Sequence, residues 1–179
     1  MNIYQIKITL KHIRPLIWRR IQIPADIKLG RLHDILQVSM GWEDCHLHQF
    51  IVSDTFYGIP DPDFPGNIRS ESNVRLDKIA NPGDILIYEY DFGDRWEHEI
   101  KVEKILAPEK YQRYPVCLDG KRACPPEDCG GFPGYQHLLR ILRNPKHEEY
   151  DDMLDWIGED FDPEAFDLVA INKILWRLR

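Results

Sequence analysis

Residues 3–10 alternate along the chain. Tyr4, Ile6, Ile8 and Leu10 fall on one side, Ile3, Gln5, Lys7 and Thr9 on the other. A period of two is that of a half-buried strand. Residues 16–23 repeat it, with Ile17, Arg19, Ile21 and Ile23 against Leu16, Trp18, Arg20 and Gln22. The connection over 11–15 is short enough for a hairpin. After Pro24 the period changes. Leu29, Leu32, Ile35, Leu36 and Met40 recur at helical spacing, and Gly41 stands where a C-terminal cap is expected. Strand character returns over 46–52. Residues 57–73 are rich in Pro, Gly, Asp and Ser and read as a long loop, and 74–79 as a short helix or turn. Residues 84–91 and 95–105 predict two strong strands that turn through Phe92, Gly93 and Asp94.

Beyond residue 106 the pattern is less regular. Residues 107–131 carry Pro108, Pro115, Pro125 and Pro126 among apolar side chains, the composition of a structured loop. Helices are predicted over 135–143, through Leu138, Leu139 and Leu142, and over 150–157, through Met153, Leu154, Trp156 and Ile157. A third starts at Asp162 as N-cap, with Pro163 in its first position and Phe161 and Phe166 placed as a hydrophobic staple. Hairpin, packed helix, then further strands is the opening of a β-grasp arrangement. The expected fold is therefore α+β: a β-grasp-like mixed sheet with a packed helix, followed by a C-terminal helical layer. One domain is expected over 1–179, with a sheet-and-helix core over 1–106 and the structured loop and helices over 107–179.

Composition narrows the function classes. No apolar run approaches the roughly 20 residues of a membrane span, and the first residues lack the basic and apolar regions of a signal peptide. The protein is read as cytoplasmic, without a membrane partner. Its four cysteines then point to thiols or metal ligands before disulfides. The net charge of −7 is uneven: residues 1–40 carry seven Lys/Arg against two Asp/Glu, while 147–169 carry ten Asp/Glu and no Lys/Arg. A nucleic-acid partner is disfavoured by this balance, since only Arg14, Arg19, Arg20, Lys28 and Arg31 could supply a basic footprint.

Several side chains could carry chemistry. The 92–94 turn pairs Tyr90 with Trp96 and Tyr88 with His98, with Gly93 expected to supply a positive φ and Asp91 and Asp94 to accept backbone N–H groups. His98 shares the inward face of its strand with Trp96, Ile100 and Val102, where it is a core histidine bonded to the Tyr88 hydroxyl or a group lining a pocket. His46 and His48, two residues apart on one strand face, can offer two imidazoles to a divalent metal. With His98 and Asp91 they are the metal candidates. Asp94, Glu127 and Asp128 add carboxylates, and Glu127 and Asp128 also suit the start of the helix that follows. The proline-stiffened loop over 125–131 is expected to pack against the hairpin end and form one wall of a polar cleft with these residues. Cys117, Cys124 and Cys129 lack the close pair of a zinc ribbon, although Cys45 or His137 could complete a site with them. Gly-x-Ser-x-Gly, phosphate-loop, dinucleotide and His-Glu-x-x-His motifs are absent, and Asp91-Phe92-Gly93 has no kinase motif beside it.

Pro15-Leu-Ile-Trp-Arg-Arg20, Gly41-Trp42, His46-Leu-His-Gln-Phe50, Tyr88 to His98, Tyr114-Pro-Val-Cys117 and Pro125-Pro-Glu-Asp-Cys-Gly-Gly131 occur together. With these motifs the chain resembles, nearly end to end, the plasmid pRiA-type open-reading-frame-three-like family, also described as TnpR-type passenger proteins of an insertion element. The resemblance implies a small protein associated with mobile elements. It maps any family site onto His46, His48, Asp91, Asp94, His98, Glu127 and Asp128. With no catalytic signature, the expected function is a non-catalytic binding or accessory module whose partner is a protein or small ligand. The alternative is a metal-dependent hydrolase or nuclease. No cofactor is implied beyond a bound divalent metal.

Overall fold

The opening alternation forms β1 (Ile3–Leu10) in the computed structural model, which describes residues 2–61, 63 and 66–178. Tyr4, Ile6, Ile8 and Leu10 are buried, as their shared side predicts. β2 (Trp18–Pro24) returns antiparallel to β1. α1 (Leu29–Met40) then lays Leu29, Leu32, Ile35, Leu36 and Met40 into the core, and ends at Gly41 with φ 93°. Any side chain would be strained in that left-handed conformation. β3 (His48–Val52), β4 (Thr55–Gly58) and β5 (Ile68–Ser70) follow, then a single 3-10 turn (Leu76–Lys78). The central hairpin is β6 (Ile85–Tyr90) with β7 (Trp96–Leu106), and β8 (Val116–Lys121) is the last strand. α2 (Gly131–Leu142), α3 (Tyr150–Ile157) and α4 (Leu168–Leu175) complete the chain.

The eight strands make one sheet in the order β5-β4-β3-β6-β7-β1-β2-β8, antiparallel except for β4 with β5. The fold is thus α+β with a mixed, mostly antiparallel sheet and four helices. The hairpin-then-helix opening is present. The β-grasp order itself is not established by this sheet, where β1 lies between β7 and β2 and is antiparallel to both. The β6–β7 register is the expected one, Tyr90 opposite Trp96 and Tyr88 opposite His98.

β5 and β8 lie wholly in stretches that read as loops, and β4 runs into the first of them. β5, at the sheet edge, and β4 beside it are strands of three and four residues, below the length at which alternation is visible. Residues 62, 64 and 65 of that same stretch lie outside the described residues. β8 pairs with β2 and carries Gly120, where a Cβ would come within 2.5 Å of the Phe166 ring. Its outer edge is closed by Asn172 of α4, which accepts from Cys117 N at 2.8 Å and donates to Cys117 O at 2.9 Å. That side-chain amide imitates a neighbouring strand and removes an open edge.

The last helix also starts later than expected. Asp162 receives the Glu164 N–H in a turn, and the true N-cap is Asp167, whose carboxylate accepts from Ala170 N at 2.9 Å. Phe166 is instead committed to packing beside Arg19 and Gly120.

The basic N-terminal third does not form a shared surface. Arg19 is buried and donates to four carbonyls, those of Ser39, Trp18, Lys121 and Arg122, at 2.8–2.9 Å. A buried cation is tolerable only with its donors satisfied in this way. Arg20 pairs with Glu103, Arg31 with Asp34, and Lys28 donates to Asn73. No helix among the described residues is long and apolar enough to cross a membrane.

Candidate functional site

The site forms where the β6–β7 turn meets the loop before α2. Asp91 leaves β6 with φ 57° and Arg95 enters β7 with φ 55°. These two residues, and not Gly93, take the left-handed positions. Asp tolerates that region through local hydrogen bonding, and Asp91 Oδ1 accepts the Gly93 N–H at 2.9 Å, closing the turn. Asp94 Oδ2 accepts Gly130 N at 3.1 Å. It holds the start of α2, and is not one of the residues whose ligand atoms converge with His46. Gly131 passes so close that a Cβ would stand 2.6 Å from the Asp94 carbonyl oxygen, at φ 65°. The 125–131 loop is thereby pinned to the hairpin end. Trp42 adds a second anchor, donating from Nε1 to Pro125 O at 3.0 Å.

This docking brings four of the candidates together. His46 Nε2 lies 3.1 Å from Asp128 Oδ1, 3.7 Å from Asp91 Oδ2 and 3.8 Å from Glu127 Oε2. None of these approaches has hydrogen-bond alignment: His46 Nε2 and Glu127 Oε2 are both enclosed without a partner. His46, Asp91 and Asp128 present ligand atoms all within 4.8 Å of one another, the one such group among the described residues. Asp91 is buried, while the Asp128 side chain is 73% exposed, so the cluster opens to solvent on one side. Asp128 too has a positive φ, 56°. Left-handed non-glycine residues gather at functional sites, because packing around them must hold the strain.

Tyr90 supports the cluster, a role its sequence context does not signal. Its hydroxyl donates to Glu127 Oε1 at 3.0 Å and accepts from Cys45 N at 2.9 Å. Burial, with the Glu127 carboxylate beside it, pushes the phenol well above its ordinary range, so it stays a donor. Trp42 stacks on Tyr90 at 5.0 Å and forms one wall of a cleft of about 510 Å³, with Cys45, Pro125, Glu127, Asp128 and Phe161 also lining it.

His48 and His98 do not join His46. The chain bends at His46 and β3 starts only at His48, so the two imidazoles do not share a strand face. His48 points inward, where Nε2 donates to Glu71 Oε2 at 3.0 Å and the ring stacks on His33 at 3.5 Å and 7°. His33 in turn bonds Asp44 Oδ1 and the Tyr88 hydroxyl, each at 2.8 Å, and Gln37 donates to the same hydroxyl. His33 is depressed by burial first and by His48 second. With the Tyr88 hydroxyl taken, His98 turns to the backbone: Nδ1 donates to Tyr88 O at 3.2 Å, and Nε2 has no partner. Burial holds its pKa down at about 4, so the ring is neutral and belongs to the core. Neither histidine is placed to bind a metal with His46.

The sequence pattern of the plasmid pRiA4b ORF-3-like proteins matches residues 2–170. The chain belongs to that family. Within the plasmid pRiA4b ORF-3-like family, it is 38% identical over 175 residues to the uncharacterized protein y4hQ of Sinorhizobium fredii, covering 96% of this chain and 90% of the relative. It is also similar to the crystal structure of a protein of unknown function, MM3350 from Methanosarcina mazei Go1. That match has a TM-score of 0.87 and 40% identity, and covers 93% of this chain and 96% of that one.

In this family member the cysteines are spread over separate environments. All four are free thiols: Cys45 is exposed, Cys117 and Cys124 buried, Cys129 half-buried. Burial raises Cys117 to about 11 and Cys124 and Cys129 to about 12, and the Asp94 charge adds to the last. Thiols held protonated are poor metal ligands. We expect any zinc carried by the purified protein to survive Cys124→Ser unchanged in elemental analysis. One zinc per chain lost in that variant would show a cysteine site.

Proposed function

We propose that this protein is a binding module built around a divalent-cation site formed by His46, Asp91 and Asp128, with Glu127 beside them. The observation that carries this reading is the convergence of one imidazole and three carboxylates on a spot where His46 Nε2 and Glu127 Oε2 lack hydrogen-bond partners. Three carboxylates in one cleft repel each other, and a cation offsets that repulsion. A mixed nitrogen and oxygen donor set suits Mn²⁺, Fe²⁺ or Zn²⁺ better than Ca²⁺ or Cu⁺. Through the open side at Asp128, a ligand with oxygen donors could reach the cation and seat an apolar group against Trp42, Pro125 and Phe161. The partner is thus a small molecule or a segment of another protein. Nucleic acid fits poorly, since the N-terminal cations are mostly engaged internally and the net charge is −7. An accessory role beside a mobile element is in keeping with a module that binds.

The free Glu127 Oε2 favours a second reading, metal-dependent hydrolysis. A bound cation can lower the pKa of water to about 7, and Glu127 stands where it could take the proton. Calorimetric titration with Mn²⁺ and Zn²⁺ tests both readings. Wild type should bind one cation per chain, and His46→Ala and Asp128→Asn should each weaken binding by roughly tenfold or more. No saturable binding, or unchanged binding in both variants, would end the cation-site proposal. Cation-dependent turnover of phosphoester or peptide substrates, lost in Glu127→Gln while the cation still binds, would select the hydrolase.

A further inference from the structure

The β1–β2 connection and the C-terminal half of α2 flank a separate, open surface pocket of about 460 Å³, lined by the exposed side chains of Arg14, Gln136, Arg140 and Arg143 around the buried Leu139. We propose that this pocket binds a small molecule through a phosphoryl group. Among the described residues, arginine ion pairs involve Arg20, Arg31, Arg75, Arg95 and Arg122, and none of the three that line this pocket. Arg14 donates from Nη1 only to the adjacent Ile13 carbonyl, at 3.2 Å. In a chain with 30 Asp and Glu residues, three arginines gathered without a carboxylate need a cause.

The helix dipole supplies part of one. Arg140 and Arg143 sit at the carbonyl end of α2, where cations are favoured. It does not account for Arg14, which lines the same pocket from a different element. Gln136, Arg140 and Arg143 recur at i, i+4 and i+7, so α2 presents them on one face. The opposing turn is held firmly: Leu10 N donates to Ile17 O at 3.0 Å, Ile13 is buried, and Pro15 O accepts Arg122 Nη1 at 2.8 Å. Arg14 is therefore carried on a fixed frame.

Three guanidinium groups around one pocket repel each other, and an oxyanion relieves that repulsion. Their planar forks match phosphate oxygens in pairs. The Gln136 amide adds a donor, and Leu139 gives an apolar floor for the organic part of a ligand. The volume is that of a small-molecule site. A long polyanion is disfavoured by the ten acidic residues of 147–169, which follow α2 directly and include α3 packed against it. This pocket shares no residue with the His46 cluster, and the proposal does not depend on a cation there.

Pyrophosphate and inorganic phosphate are the probes, titrated by calorimetry at low chloride with a chelator present, so that no cation at His46 can recruit them. Saturable binding of pyrophosphate, tighter than that of phosphate, is expected. Arg14→Gln, and the double variant Arg140→Gln with Arg143→Gln, should each weaken it by roughly tenfold or more. Arg69→Gln and Arg113→Gln, on exposed arginines outside the pocket, should leave it unchanged. Absence of binding, equal loss in these control variants, or no loss in the pocket variants would overturn the proposal. Tighter binding of a single-stranded oligonucleotide, abolished by the same pocket variants, would overturn the small-molecule assignment in favour of nucleic acid.

Discussion

Trp96→Ala should lower the unfolding free energy by about 3–5 kcal/mol. Trp96 is 2% exposed, opens β7 opposite Tyr90, and leans on Trp42 at 6.2 Å. Truncation leaves a cavity that this region cannot readily fill. The hairpin end is pinned to the loop before α2 through Asp94 and Gly131, and Trp42 is itself tied to Pro125. Trp96 Nε1 has no hydrogen-bond partner, so truncation also releases a desolvated donor, which draws the loss toward the lower end of that range. Urea denaturation of the variant measures the effect. A loss under about 1 kcal/mol would mean that Trp96 is not part of the packed core. Because Trp42 stacks on Tyr90 and leans on Trp96, the same variant should also loosen the Glu127 side of the cation cluster.

Acid should destabilise the protein across the range where a free histidine charges. His98 is fully buried and neutral, with a pKa held at about 4 against an ordinary 6.5. As pH falls through 6.5 the unfolded chain takes up a proton at this position and the folded chain does not. Protons therefore favour unfolding until pH reaches about 4. The contribution is present in full above 6.5, declines below it, and amounts to about 3 kcal/mol lost by pH 4. His33, also depressed by burial, acts in the same direction. Urea midpoints measured between pH 7 and pH 4 for wild type and His98→Gln check this. Glutamine can still donate to Tyr88 O and does not titrate, so its profile should be distinctly flatter. Parallel profiles would remove His98 as the source.

Local pattern and tertiary structure divide this protein between them. Alternation and helical spacing were enough to place β1, β2, α1, the β6–β7 hairpin and its register, because each buries one face and the period of that face is written in adjacent residues. The family motifs were equally legible, since they are contiguous. β4, β5 and β8 were not, because short strands at or next to the sheet edge are defined by the neighbour they pair with. The position of α4 escaped for a related reason: Asp162 and Asp167 both look like N-caps, and only the packing of Phe166 against Arg19 and Gly120 selects the second. At the candidate site, sequence supplied the residue types and a loop stiff enough to hold them. It did not separate His46 from His48, whose spacing suggests a shared face. A bend before β3 sends one imidazole to Asp91 and Asp128, and the other to Glu71 and His33. Those partners lie between 15 and 82 residues away in the chain. Which carboxylate each histidine meets is decided by the docking of distant segments, and no local periodicity encodes that.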